Sequence, residues 1–164
     1  MFHARTVLVP MDLTNLNRHA LAVALRAVPP DGGGTLHLVH SLRSLEKILK
    51  KRIVTAPDDS VVEDAISADE IAMLEVVEQA QAELSEDGES RRYVDVVPHV
   101  VANDLASACL QLCDEIDVDL VVAGTHGRLG TGWKATVTER LVQDAPCSVV
   151  VVKPEGYPIL RDCA

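Results

Sequence analysis

Five short, nearly unbroken apolar runs alternate along this chain with longer stretches whose apolar residues recur every three or four positions. Thr6-Val-Leu-Val-Pro-Met11 is the first run. It has no polar face to turn to water, so it reads as a strand buried on both sides of a parallel sheet. Leu21, Ala24, Leu25 and Val28 then repeat at helical spacing behind Thr14, an expected N-cap, until Pro29-Pro-Asp-Gly-Gly-Gly34 breaks the helix. Thr35–Ser41 is the second strand. Residues 43–60 show no clear period. Their basic cluster (Lys47, Lys50, Lys51, Arg52) reads as a solvated helix face, and Ala56–Asp59 as a turn. A long acidic helix follows from about Ser60 to Glu86, with Ile66, Met73, Val76, Val77, Ala80 and Leu84 on its apolar face.

Tyr93–Val101 is the third strand, and Pro98 inside it predicts an edge position, because proline cannot donate to the ladder. Asn103 or Asp104 caps a helix to about Ile116. Asp119–Ala123 is the fourth strand, about 135–143 the last helix, and Ser148–Val152 a fifth, very apolar strand. The order βαβαβαβαβ implies an α/β fold with a doubly wound, mostly parallel, Rossmann-like sheet. With the third strand at an edge, the spatial order is 3-2-1-4-5. Strands one and four then adjoin while their connections leave in opposite directions, and a crevice opens at their carboxyl ends.

Composition narrows the picture. The 164 residues suit one domain, read as residues 1–154 with a tail at 155–164. Aromatics are only 2%, so branched aliphatic side chains and alanine must fill the core. A net charge of −10 argues against nucleic acid and against an anionic membrane surface, and no apolar stretch approaches the roughly 20 residues of a membrane span. The start, Met1–Thr6, runs straight into a strand without a signal-like apolar region, so a cytoplasmic protein is expected. The four cysteines fit a reducing compartment. Cys109 and Cys113, four apart on a helix, read as small core residues, and Cys147 as a packed thiol.

Two segments converge on the expected crevice. Gly124-Thr-His-Gly127 ends the fourth strand in a turn whose first and last residues lack Cβ atoms, so anionic oxygens can approach backbone N–H groups. Asp12 ends the first strand. Its carboxylate can accept from ribose hydroxyls or complement the following helix, and the residues alone leave both roles open. No Ser-His-Asp or Cys-His arrangement emerges at a recognisable spacing, and His126 reads as part of the turn. His37 and His40 face opposite sides of their strand, which disfavours a shared metal site.

Val7-Leu-Val-Pro-Met-Asp12, Leu38-Val-His40, Gly124-Thr-His-Gly127 and Ala145-Pro-Cys-Ser-Val-Val-Val-Val152 together resemble the universal stress protein domain over residues 5–153. The fold this implies is the adenine-nucleotide α-hydrolase-like variant of the doubly wound sheet. In the nucleotide-binding branch the motif runs Gly-x2-Gly-x9-Gly-Ser/Thr. Gly124 and Gly127 match its first two glycines, and nine residues later Val137 stands where the third belongs, followed by a matching Thr138.

The resemblance assigns Pro10 to the strand-one Pro-x-Asp and Asp12 to the ribose. It gives the backbone of Ser41 to the adenine edge, Gly124 and Gly127 to the phosphates, and the Thr138 hydroxyl to the helix start. Val137 is the expected obstacle, since a branched side chain at a glycine position crowds a phosphate or forces dihedrals valine avoids. Before the third helix, where the family often has Gly-x-Pro, this chain has Ala102-Asn103-Asp104; asparagine is the best non-glycine residue at positive φ, so the loop is expected to turn in the same way. The implied function is a stress-type regulatory homodimer, paired through strand 148–152. It binds ATP or another adenine nucleotide, with or without Mg2+, without efficient catalysis. A nucleotide-independent interaction module and an adenine-nucleotide hydrolase are the alternatives.

Overall fold

The computed structural model describes residues 4–11, 17–29, 32–42, 59–86, 88, 94–125 and 136–153. Among these lie β1 (Thr6–Met11), α1 (Asn17–Ala27), β2 (Thr35–Ser41), α2 (Asp59–Glu86), β3 (Asp95–Val101), α3 (Leu105–Glu115), β4 (Leu120–Gly124), α4 (Val137–Asp144) and β5 (Ser148–Val152). Asp12, Thr14, the basic segment, Tyr93, the turn beyond Thr125 including Gly127, Trp133 and the tail lie outside the described residues.

The five strands form one sheet in the order β3-β2-β1-β4-β5, and all four ladders are parallel. The expected strand order therefore holds, with Pro98 on an edge strand. Alternation along the strands divides the core in two. Val7, Val9, Met11, Leu36, Leu38 and Val122 pack against α1 and α2. Leu8, Val39, Val121 and Ala123 pack against α3 and α4, where Cys109 and Cys113 fill the helix side. On α2 the expected stripe is confirmed by Met73, Val77, Ala80 and Leu84, all buried, whereas Ile71 lies 58% exposed on the far side.

Local chemistry sets the boundaries. Asp104, not Asn103, is the α3 N-cap, and its carboxylate accepts from the Ser107 N–H at 3.0 Å. Asp117 is the one described non-glycine residue with positive φ, so Asn103 has none and the loop before α3 turns differently from the glycine expectation. Gly34 matters for space: a Cβ there would overlap Val28 Cγ1, so the return from α1 packs backbone against side chain.

The fourth strand starts at Leu120 rather than Asp119; just ahead of it, Asp119 donates its N–H to the Thr6 carbonyl at 2.9 Å, and its carboxylate is engaged as well. One of its oxygens accepts from the N–H groups of Arg5 and Thr6, 2.9 Å each, and stitches the amino ends of β1 and β4 together.

Candidate functional site at the carboxyl ends of the strands

β1 is central, yet its pairing with β4 covers only Val7↔Leu120 and Leu8↔Val121, while its pairing with β2 continues to Met11↔His40. Pro10 explains the difference. In a parallel strand successive peptide groups face alternate neighbours. Arg5 O accepts from Thr35 N at the start of β2, and Thr6 O accepts from Asp119 N beside β4. Counting on by twos, residue 10 faces β4, and proline has no N–H to give it. The β1–β4 ladder stops there, and the two strands part at the switch point.

The far wall of this gap is Gly124, the last residue of β4. The Thr138 hydroxyl donates to the Gly124 carbonyl oxygen at 3.1 Å, which docks the first turn of α4 against the strand end. The helix begins with a reciprocal cap: Thr136 Oγ1 accepts from Glu139 N at 3.2 Å, and Glu139 Oε2 accepts from Thr136 N at 2.7 Å. Val137 is thus the first helical residue and has no positive φ. Its half-buried side chain packs on the inner cluster formed with α3. The conformational penalty expected of valine at a glycine position is absent here.

On the other side of β1, Ser41 ends β2 and its hydroxyl donates to the Asn103 carbonyl at 2.8 Å. Asp104 follows, and its carboxylate receives the Arg140 guanidinium from the first turn of α4, while Arg140 also reaches Ser107 Oγ at 3.1 Å. The Ser107 backbone N–H, then its hydroxyl, then Arg140 hold the Asp104 carboxyl below its ordinary range. His40 Nδ1 lies 2.9 Å from Met11 O and so donates to it, and His40 Nε2 lies 3.6 Å from Asp69 on α2. A polar rim thus runs from Ser41 through Asn103, Asp104 and Arg140 to Thr138 and Gly124. It links the carboxyl ends of β2 and β4, the two neighbours of β1, by way of the starts of α3 and α4.

Of the sequence-derived candidates, Gly124 and Thr138 are in direct contact, with Val137 beside them. Pro10 and Ser41 end neighbouring strands on the same side of the sheet. Asp12 and Gly127 lie outside the described residues. Thr136, Glu139, Ser107 and Arg140 were missed, and Asp104 was read only as a candidate helix cap. The Thr-x-x-Glu spacing of a capping box was the available signal for the first two; the Asp104–Arg140 pairing joins residues 36 positions apart and left none.

Among the described residues no group of three or more His, Cys, Asp or Glu is arranged to hold a metal ion. Burial pushes the Cys109 thiol up to about 12, and Cys113 likewise, so neither is a nucleophile at neutral pH. No helix among the described residues is long and apolar enough to cross a membrane.

A doubly wound parallel sheet opened at its switch point defines a large class of ligand-binding α/β domains. Within that class, the model of the universal stress protein family matches residues 3–153, and the chain belongs to that family. A search of curated protein sequences gives no match.

Solved structures agree on the fold. A universal stress protein in complex with cAMP is 15% identical, with a TM-score of 0.62 over 92% of this chain and 98% of its own. One from Archaeoglobus fulgidus in complex with dAMP is 16% identical, with a TM-score of 0.52 over 93% and 100%. A family member from Burkholderia pseudomallei is 26% identical, with a TM-score of 0.53 over 90% and 95%.

Proposed function

We propose that this chain is a stress-type regulatory protein that holds an adenine nucleotide in the gap between β1 and β4 and does not turn it over efficiently. The observation that carries this reading is the Gly124–Thr138 contact: a strand end without a Cβ stands against a helix start, beside a ladder that Pro10 keeps open. Two relatives of the same fold are complexes with cAMP and dAMP, which supports an adenine ligand.

In this reading Asp12 takes the ribose hydroxyls, the Ser41 backbone faces the adenine edge, and Gly124 and Gly127 offer N–H groups to phosphates. At the helix start Thr136 can donate its hydroxyl to a phosphate, and Thr138 can do so by exchanging the Gly124 carbonyl for it. ATP is the proposed ligand. Mg2+ would arrive on its phosphates, because these hydroxyl and amide groups suit phosphate oxygens better than a bare cation. Among the described rim residues the one carboxylate at the start of α3, Asp104, is held by Ser107 and Arg140, a poor arrangement for activating water, which fits storage or sensing better than hydrolysis.

ATP titration tests this. Binding with a dissociation constant near 10 μM stabilises the fold by roughly 2.7 kcal/mol at about 1 mM ligand, and Trp133, which lies in sequence between Gly127 and Val137, reports it by fluorescence. Silence in both signals at millimolar ATP would sink the proposal.

We propose in addition that the chain forms a homodimer through β5, which would serve a nucleotide-independent interaction module, the second reading, equally well. β5 is an edge strand, and Val150 and Val151 are 39% and 41% exposed on it. Antiparallel pairing with a second copy would cover them.

A further inference from the structure

At the opposite edge of the sheet, two histidines on neighbouring strands meet. His37 lies on β2 and His99 on β3, and in the parallel register His37 stands opposite Val97 while Val39 stands opposite His99. The two imidazoles are therefore diagonal neighbours on the same face, the one α3 and α4 cover nearer the centre of the sheet. Nδ1 of His37 and Nε2 of His99 are 2.9 Å apart. The ring centroids are 5.2 Å apart with planes inclined by 23°. That separation is what the nitrogen–nitrogen distance plus one ring radius at each end gives, so the rings meet end to end rather than face to face. Seven register pairs hold the two strands, which fixes the spacing of their backbones.

We propose that His37 and His99 form a binding site for a borderline-soft divalent transition-metal ion, Zn2+ above all, separate from the crevice. Two nitrogens held about 2.0–2.1 Å from one Zn2+ lie about 2.9–3.4 Å apart as the angle between them widens from a right angle to tetrahedral. The observed pair is already at the near end of that range, and a tilt of each half-exposed ring turns its inner lone pair toward a common point. Imidazole is the nitrogen donor that suits Zn2+, Cu2+ and Ni2+. Water completes the coordination, since the described part of this edge is open: Asp95 and Val97 on the same face of β3 are exposed.

The protons balance without an acid or a base. Each neutral imidazole carries one N–H. In the metal-free pair one of these lies between the rings and the other on an outer nitrogen. On binding, the inner proton passes to the outer nitrogen of its own ring, so both inner nitrogens become ligands and no proton is released. Burial lowers the pKa of both histidines, and the charge of His99 adds to the effect at His37, so the lone pairs are available at neutral pH. Among the described residues the thiols of Cys109, Cys113 and Cys147 are held protonated by burial, which weakens their competition for the ion.

The test is calorimetric titration of Zn2+ alone into the nucleotide-free full chain at pH 7.5 in a non-chelating buffer. One equivalent should bind with an affinity that falls at least tenfold in His37→Gln and in His99→Gln, and that equivalent should vanish in the double variant. His19→Gln, at an exposed helical position, should match the parent. Should the variants fold poorly, nitrogen NMR of the parent chain decides: Zn2+ should shift the ring nitrogens of His37 and His99 at the first equivalent and leave those of His19 in place. An unchanged isotherm in the double variant, or first-equivalent shifts elsewhere, would overturn the site.

Discussion

The Thr138 hydroxyl donates to the carbonyl oxygen of Gly124, tying the first turn of α4 to the last residue of β4. A carbonyl at the end of a ladder normally relies on water. Here a side chain from the next helix satisfies it and fixes where that helix begins. Thr138→Val keeps the shape and loses the donor. It should cost about 1 kcal/mol of stability and weaken ATP binding several-fold, while Thr138→Ser should behave like the parent. Urea unfolding and ATP titration of both variants read this out.

Val137→Gly separates the two readings of the motif. The valine is helical and packs inward, so glycine there removes apolar burial and adds backbone freedom, at a cost of roughly 1–2 kcal/mol. Nucleotide affinity should stay within about twofold of the parent. Binding that appears only in the glycine variant would instead show that valine closes the crevice, and the dimeric-module reading would take over.

Pro10→Ala restores an N–H that faces β4. The β1–β4 ladder should lengthen by a hydrogen bond and narrow the gap, lowering ATP affinity without lowering the unfolding free energy. Amide hydrogen exchange at the substituted position would reveal the new bond as a protected proton.

The histidine pair sets a direction for pH. Both pKa values are lowered from 6.5 in the folded chain, chiefly by burial, with the charge of His99 adding to the effect on His37. Between the folded and unfolded values the unfolded chain binds more protons, so stability is full above about pH 6.5 and is lost as pH falls below it. Urea midpoints at pH 7.5 and 5.0 should differ less in His37→Gln/His99→Gln than in the parent. An equal difference would remove the pair from the account.

β5 offers the last expectation. Val151→Lys places a charge on the exposed edge strand and should shift a dimer toward monomer in sedimentation velocity, with thermal stability of the monomer preserved. A parent chain that sediments as a monomer would argue against pairing through β5.

The sheet was readable in advance because each strand is an apolar run too short for a helix, and Pro98 marked one edge. The crevice was readable from order alone. Counting nine residues from Gly127 lands on Val137, where α4 begins, but spacing does not say which residue caps; the Thr136–Glu139 pair does, and it places the cap two residues before Thr138. Facing within one strand correctly separated His37 from His40. It could not reveal His99, since the partner of a side chain across a ladder depends on register, and register follows from packing of both strands.

Pro10 and Asp119 act at opposite ends of the same pair of strands. Asp119 closes the seam at its amino end, and Pro10 leaves it unsewn at the other. A ligand entering the open end displaces water but ruptures no hydrogen bond between strands. On the proposed reading, occupancy and sheet integrity are thereby uncoupled: a nucleotide would come and go with no bond between the central strands broken.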